Sequence, residues 1–237
     1  MRRWVFILVL LMVGMQSCFK DEEFSDKSND LFIDEVDPNV QLYDLYVDKY
    51  GNEGIIACIY NYGIDDFGYI IAISLDETIE PWGPMDELVY KANFEGTSVF
   101  SQASFSLMML QSMKSMGIHR FPAQKWCDDK NNGGQYPYTG SWRLPSLAEF
   151  RSISNINALN QAIEAVGGTP LSDYELYWTC VEDFDNYMTV NNNHEDYDKE
   201  NRAIPVTPKY TQYTDKDRWI KKNKHHVRAI KYVYFHF

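Results

Sequence analysis

Beyond residue 30 the chain alternates between runs whose apolar positions keep a recognisable period and short clusters of Gly, Asn, Asp and Pro. Segment 31–50 is acidic and aromatic and ends in the turn signal Gly51-Asn52-Glu53-Gly54. The runs 55–60 and 69–75 are near-continuous and β-branched, and Asn61-Tyr62-Gly63 and Asp65-Asp66 separate them; this predicts a β-hairpin buried on both faces. Residues 101–116 place Phe105, Met108, Met109, Ser112, Met113 and Met116 at helical spacing. These methionines read as core filling ahead of a ligand groove, because Met packs irregular gaps. A second helix is predicted over 121–130, with Ala123, Trp126 and Cys127 on one side and Asn131-Asn132-Gly133-Gly134 as its stop. In the run Trp142 to Phe150, Pro145 breaks a short strand, Ser146 N-caps a helix, and Glu149 completes a capping box. Helix then runs over 157–166 until Gly167-Gly168. The remainder is predicted β-rich: 175–182, 187–190, 203–207 and a last strand, 226–237. That strand sets Val227, Ala229, Val233, Phe235 and Phe237 on one face and Ile230, Tyr232 and Tyr234 on the other, as an interior strand would.

The N-terminus follows a different pattern. Arg2 and Arg3 precede the uninterrupted apolar run Trp4 to Val13, and Gly14-Met15-Gln16-Ser17 lead into Cys18, the layout of a secretory signal. Ten apolar residues reach about 15 Å as a helix, half of a bilayer's hydrocarbon core and too short to span it. The end of this segment resembles the lipobox of bacterial lipoproteins, although Met15 and Gln16 stand where a Leu-like and a small residue are preferred. The resemblance implies that Cys18 carries the lipid; an ordinary signal with an incidental cysteine is the alternative. The organisation expected is a signal peptide over 1–17, the lipidated cysteine with an acidic tether and lead-in over 18–50, and one domain over 51–237. An acidic run behind such a cysteine also resembles the export signal of Bacteroidetes lipoproteins. It implies an outer-membrane location facing the cell exterior, with a plain solvated spacer as the competing reading.

Composition narrows the function classes. The chain has 237 residues, 45% hydrophobic and 15% aromatic, which suits a globular domain with appendages and excludes global disorder. Net charge is −12, and it becomes −14 once Arg2 and Arg3 leave with the signal. That balance argues against nucleic acid as a partner, since such affinity comes from Lys and Arg on phosphates. The one basic cluster, Lys221, Lys222, Lys224 and Arg228, reads as a solvated surface turn. Cys58, Cys127 and Cys180 allow at most one intrachain bridge, and their apolar contexts read as buried free thiols. No metal or other cofactor is expected: there is no C-x-x-C pair, and on a strand His225 and His226 point to opposite faces.

Three segments in order carry a family resemblance: Trp142-Arg143-Leu144-Pro145-Ser146-Leu147-x-Glu149-Phe150, Tyr177-Trp178-Thr179-Cys180-Val181-Glu182, and Val227-Arg228-Ala229-Ile230-Lys231. Together with the hairpin they resemble the domain named after the C-terminal region of Legionella collagen-like adhesins, over roughly residues 50–237. The second segment departs from the family pattern at Cys180 and Val181, where small hydroxyl residues are usual. The resemblance implies an α+β, C-type-lectin-like fold. Its features would be a small twisted, mostly antiparallel sheet closed by the N- and C-terminal strands, two main flanking helices, and a long loop region that supplies binding surface. On this reading Trp142, Leu144, Pro145, Ser146, Glu149, Tyr177, Trp178 and Arg228 are architectural.

Calcium-dependent sugar binding does not follow from that fold, because the Glu-Pro-Asn or Gln-Pro-Asp loop and the Trp-Asn-Asp strand of calcium-chelating lectins are missing. The acidic stretch 182–198 holds oxygen ligands but not EF-hand spacing, and reads as a solvated loop. The motifs G-x-S-x-G, H-E-x-x-H and G-x-x-x-x-G-K-[ST] are also missing, and the acid pairs Asp128-Asp129 and Glu182-Asp183 read as surface charge, so no enzyme is expected. Two functions stand. One is a cell-surface, lipid-anchored adhesin or binding module for a glycan or protein ligand. Its candidate contacts are Tyr187, Asn191, Asn192, Asn193, Tyr197, Tyr210 and Tyr213, since Tyr offers large amphipathic area at low entropy cost. The other is a structural subunit or tip of an envelope assembly, docked through segment 31–50 or a strand edge.

Overall fold

The hairpin predicted from the two apolar runs is β2 (Glu53–Asn61) and β3 (Phe67–Ser74), antiparallel and buried on both faces over most of their length. The computed structural model describes residues 39–61, 67–84, 89, 99–133, 140–182, 202–208 and 220–236, all within one unit, Ile33–Phe237. The predicted strand 187–190 lies outside these residues. The molecule is α+β. A first sheet has the order β1-β2-β3-β8, where β1 is Leu45–Val47 and β8 is Ile230–His236. A second has the order β4-β7-β5-β6, with β4 Thr78–Pro81, β5 Tyr177–Glu182, β6 Ala203–Val206 and β7 Lys224–Val227. All pairings are antiparallel except β5 with β7, which meet in parallel at Tyr177 and His226.

Two sheets form where one was expected, and the last strand is not a single interior strand. It breaks at Arg228-Ala229 into β7 and β8, and β8 is an outer strand of the first sheet. The cause is a coordinated kink. Arg228 donates from Nη1 to the Ser74 and Leu75 carbonyls, both at 2.9 Å. Ser74 N–H donates to the Ala229 carbonyl (2.9 Å), and Ala229 N–H donates to Ser74 Oγ (3.2 Å). β3 and β4 are interrupted at the same level, so one antiparallel ribbon bends there and each half recruits further strands. Facial alternation survives the bend: Val227, Ala229 and Val233 enter one core cluster, and Ile230 and Tyr232 enter the other.

Among the described residues four α-helices accompany the sheets: α1 (Val99–Gly117), α2 (Pro122–Asp129), α3 (Leu147–Arg151) and α4 (Ile156–Ala165). Met109 and Met113 of α1 and Ala123 and Cys127 of α2 join Ile56, Ile70, Ala72 and Val233 on one face of the first sheet. Phe150 of α3 and Leu159 and Ile163 of α4 join Ile55, Ile71 and Ile73 on the other. Of the methionine stripe, Met109 and Met113 are core and Met116 packs against them, as the spacing predicts, while Met108 is half-buried and joins neither cluster. A bulge in β2 between Ile56 and Cys58 turns Ala57 and Cys58 onto the α4 side. Among the described residues no helix is long and apolar enough to cross a membrane.

Candidate functional site

The three segments that carry the family resemblance meet in space. Arg143 forms a β-bridge with Ile230, exchanging backbone hydrogen bonds of 3.0 and 2.9 Å. Cys180 N–H donates to the Pro145 carbonyl at 2.8 Å, and His226 N–H donates to the Leu176 carbonyl at 2.9 Å. Pro145 thus stops no strand: only the single bridge at Arg143 precedes it. Ser146 and Glu149 form the capping box that the spacing predicts. Glu149 N–H donates to Ser146 Oγ (3.2 Å), and Ser146 N–H donates to Glu149 Oε2 (2.7 Å). The other Glu149 oxygen takes Arg143 Nη2 at 2.5 Å in a fully buried ion pair. Arg143 Nε donates to Ser106 Oγ (2.9 Å), which ties α1 to this corner.

The indole N–H groups of three fully buried tryptophans find distant acceptors. Trp142 donates to Asp48 Oδ2 (2.8 Å), Trp178 to the Glu80 carbonyl (2.9 Å), and Trp82 to the Thr179 carbonyl (2.8 Å). Leu144 is buried beside them. Asp48 also accepts from the Tyr50 and Asn52 backbone (2.9 Å each) and faces Lys231 Nζ at 3.5 Å. Burial alone would raise its carboxyl, but the hydrogen bonds from Trp142 and Asn52 and the Lys231 charge outweigh that and hold it below the usual range.

Two sequence assignments are corrected by these contacts. The basic cluster is not a solvated turn, because Lys221 and Arg228 are fully buried and only Lys222 and Lys224 reach solvent. Arg228 grips Glu77 Oε2 (2.7 Å) and the Thr169 carbonyl (2.6 Å). Glu77 also accepts from the Tyr177 hydroxyl (3.2 Å) and pairs with His226 Nδ1 (2.8 Å). His225 packs instead against the Trp178 ring, 4.5 Å between centroids, so the two histidines face apart. Nor is Glu182 surface charge: it is buried, takes Lys221 Nζ at 2.5 Å, and accepts Val89 N–H at 3.0 Å. Of the other acids proposed as a pair, Asp128 binds Lys114 (2.8 Å) and Asp129 binds Lys125 (2.5 Å); Asp183 lies outside the described residues.

The Glu182–Lys221 pair is the candidate site's foundation. Glu182 is the last described residue before the stretch 183–201, Lys221 follows 209–219 by two positions, and Arg202 and Ile220 form a β-bridge beside them. Lys221 Nζ also sits over the Trp82 ring, 4.8 Å from its centroid, and the Lys221 carbonyl accepts Trp82 N–H at 2.8 Å. The Asn-rich stretch 183–201 and the polar stretch 209–219, which holds Tyr210 and Tyr213, are therefore both flanked by one buried charge pair. The candidate contacts Tyr187, Asn191, Asn192, Asn193, Tyr197, Tyr210 and Tyr213 all lie outside the described residues, as does Cys18.

Cys58, Cys127 and Cys180 are free and buried, as their contexts predict. Burial pushes all three thiols up, and Cys58 Sγ lies 3.3 Å from the Ser152 carbonyl. Sequence reasoning missed the tasks of Asp48, Glu77, Glu182 and Lys221 because their charged partners are 39 to 183 positions away. No group of three or more His, Cys, Asp or Glu among the described residues is placed to hold a metal ion. No protein family matches the chain, and no match is found among curated proteins or among solved structures.

Proposed function

We propose that the chain is a lipid-anchored surface protein whose C-type-lectin-like domain binds a glycan or protein ligand through the sequence between Asp183 and Tyr213, without catalysis. The observation that carries this reading is the buried Glu182–Lys221 pair, which joins the ends of the Asn-rich stretch 183–201 and the Tyr-bearing stretch 209–219. The lectin-like assignment draws support from the meeting of the three motif segments and from β8, the last strand, lying beside β3 of the first hairpin. The anchor rests on the signal-like segment and Cys18. The test is an array of glycans and extracellular proteins probed with the chain and with a variant carrying Tyr187→Ala, Tyr197→Ala and Tyr210→Ala. Binding by the parent that the variant loses at an unchanged melting temperature is the expected result. Equal binding by both overturns the assignment of the surface.

The exposed apolar residues of β1 favour a second reading, a structural subunit of an envelope assembly. Stoichiometric co-purification with envelope proteins, with no array signal, would select it.

A further inference from the structure

Helix α2 ends in a tight turn on the surface. Asn131 N–H donates to the Asp128 carbonyl (2.9 Å) and Asn132 N–H to the Asp129 carbonyl (3.3 Å), and the chain then passes through two left-handed residues, Asn132 (φ 52°) and Gly133 (φ 71°). Asn132-Gly133 is the one Asn-Gly step in the sequence. The side-chain carbonyl carbon of an asparagine lies within reach of the next residue's backbone nitrogen, and their union closes a five-membered imide. Two things hold that reaction back in a folded chain. A side chain on the following residue crowds the attack, and hydrogen bonds fix the amide and the N–H apart.

Both obstacles are missing at this turn. Gly133 has no Cβ, and no other part of the chain comes within 4 Å of where one would stand. Asn132 and Gly133 are exposed, and among the described residues neither the Asn132 side-chain amide nor the Gly133 N–H has a hydrogen-bond partner. Other asparagines are held. The Asn131 amide clamps Trp142, donating to its carbonyl (3.0 Å) and accepting its N–H (2.7 Å). Asn160 grips Leu171 in the same two-sided way (2.7 and 2.8 Å), and Asn52 Nδ2 donates to the Lys130 carbonyl (2.7 Å). Asn157 is exposed, but the N–H that follows it, on Ala158, is taken by Asn155 Oδ1 (3.0 Å).

We propose that Asn132 is a site of spontaneous covalent modification, deamidation through a cyclic imide with Gly133. The Gly133 nitrogen gives its proton to solvent base and attacks Asn132 Cγ; the new C–N bond closes the ring, and Nδ2 takes up a proton and leaves as ammonia. Water then opens the imide. Breaking the bond from nitrogen to Cγ leaves aspartate at position 132, breaking the bond from nitrogen to the main-chain carbonyl leaves isoaspartate, and nothing is oxidised or reduced. Either product puts a new negative charge at the C-terminal end of α2, beside Asp128 and Asp129, where the helix dipole disfavours it. Isoaspartate also lengthens the main chain by one carbon next to Asn131, the residue that clamps Trp142.

Peptide mapping by mass spectrometry tests this on the full chain, kept for days at mildly alkaline pH in two samples, one folded and one in denaturant. In the folded sample, conversion at Asn132 is expected to run at least about tenfold faster than at Asn52, Asn131, Asn157 or Asn160, giving both aspartyl and isoaspartyl peptides. Its rate should lie within about threefold of that in denaturant, because the turn offers no local protection. Asn132→Gln, whose longer side chain would have to close a six-membered ring, should lose most of the acidic form that ion exchange resolves from the aged parent. A folded rate at Asn132 more than about tenfold below the denatured one, a rate no faster than at the held asparagines, or an acidic form undiminished in Asn132→Gln each overturns the proposal. None of these outcomes touches the ligand reading, which rests on residues 183–213.

Discussion

Asp48 is an unremarkable letter in an acidic stretch of sequence, yet it fixes a corner of the core. Its carboxylate collects the Trp142 indole, the Asn52 amide and two backbone N–H groups, and Lys231 stands 3.5 Å away over the Tyr46 ring. Because the folded carboxyl is held below its unfolded value of about 3.9, its contribution is fully present above about pH 4. It is lost as pH falls through the lower folded value. Trp142→Phe removes the indole donor and is expected to cost about 1.5–3 kcal/mol at pH 7 through the charged hydrogen bond, plus a pH-independent cost for lost ring volume. The stability difference from the parent should narrow as pH falls below about 4, and denaturant melts at pH 7, 5 and 3 would show it; parallel pH profiles would contradict the role given to Asp48. The thiols give a simpler test. With Cys58, Cys127 and Cys180 buried and shifted up, alkylation of these three at pH 8 should wait for unfolding, and peptide mapping with and without denaturant reads it directly. Burial of the thiols was legible because each sits in an apolar run. The tasks of Asp48, Glu182 and Lys221 were not, because a charge in sequence carries no mark of a partner far along the chain.

Elements were legible where the signal is local. The hairpin follows from two β-branched runs and a turn, α1 from its methionine spacing, and α3 from a Ser and a Glu three residues apart. Among the elements that escaped, which include β4, two did so for opposite reasons. β1 is only three residues long, too short to impose a period, and sits in the stretch read as lead-in. The break between β7 and β8 leaves the apolar alternation intact, so only the Arg228 contacts to Ser74 and Leu75 mark it. Close approach of elements also sets demands that composition hides. Gly54 of β2 lies so near the β3 backbone and the core that a Cβ there would stand 2.7 Å from the Ile73 carbonyl oxygen and 3.0 Å from the Trp142 ring. Gly54→Ala is therefore expected to destabilise the protein by about 1–3 kcal/mol, despite alanine's better strand entropy, because backbone cannot yield as a flexible side chain would. A chemical denaturation midpoint equal to the parent's would contradict that packing.

At the scale of the whole molecule, the bent ribbon of β3–β4 and β7–β8 joins the two sheets, and the motif segments lock at its bend. Two of the buried charge pairs join segments distant in sequence, Arg228 with Glu77 and Lys221 with Glu182, while Arg143 with Glu149 closes a local corner. Buried pairs are expensive to desolvate, and well-packed apolar residues often replace them without loss, so their presence argues for positioning more than for net stability. Lys221–Glu182 allows this to be measured. Lys221→Met leaves the Glu182 carboxylate buried without its ammonium and should cost about 3–5 kcal/mol. Adding Glu182→Leu removes the stranded charge and should recover most of that. The recovery should fall short by about 1–3 kcal/mol, because Val89 N–H, which now donates to Glu182 at 3.0 Å, loses its acceptor. Denaturant melts of the parent, Lys221→Met and the double variant decide the matter. If the double variant is no more stable than Lys221→Met, the cost lies in lost packing around the lysine stem and Trp82, and the charge pair is not what holds the ends of the stretches 183–201 and 209–219.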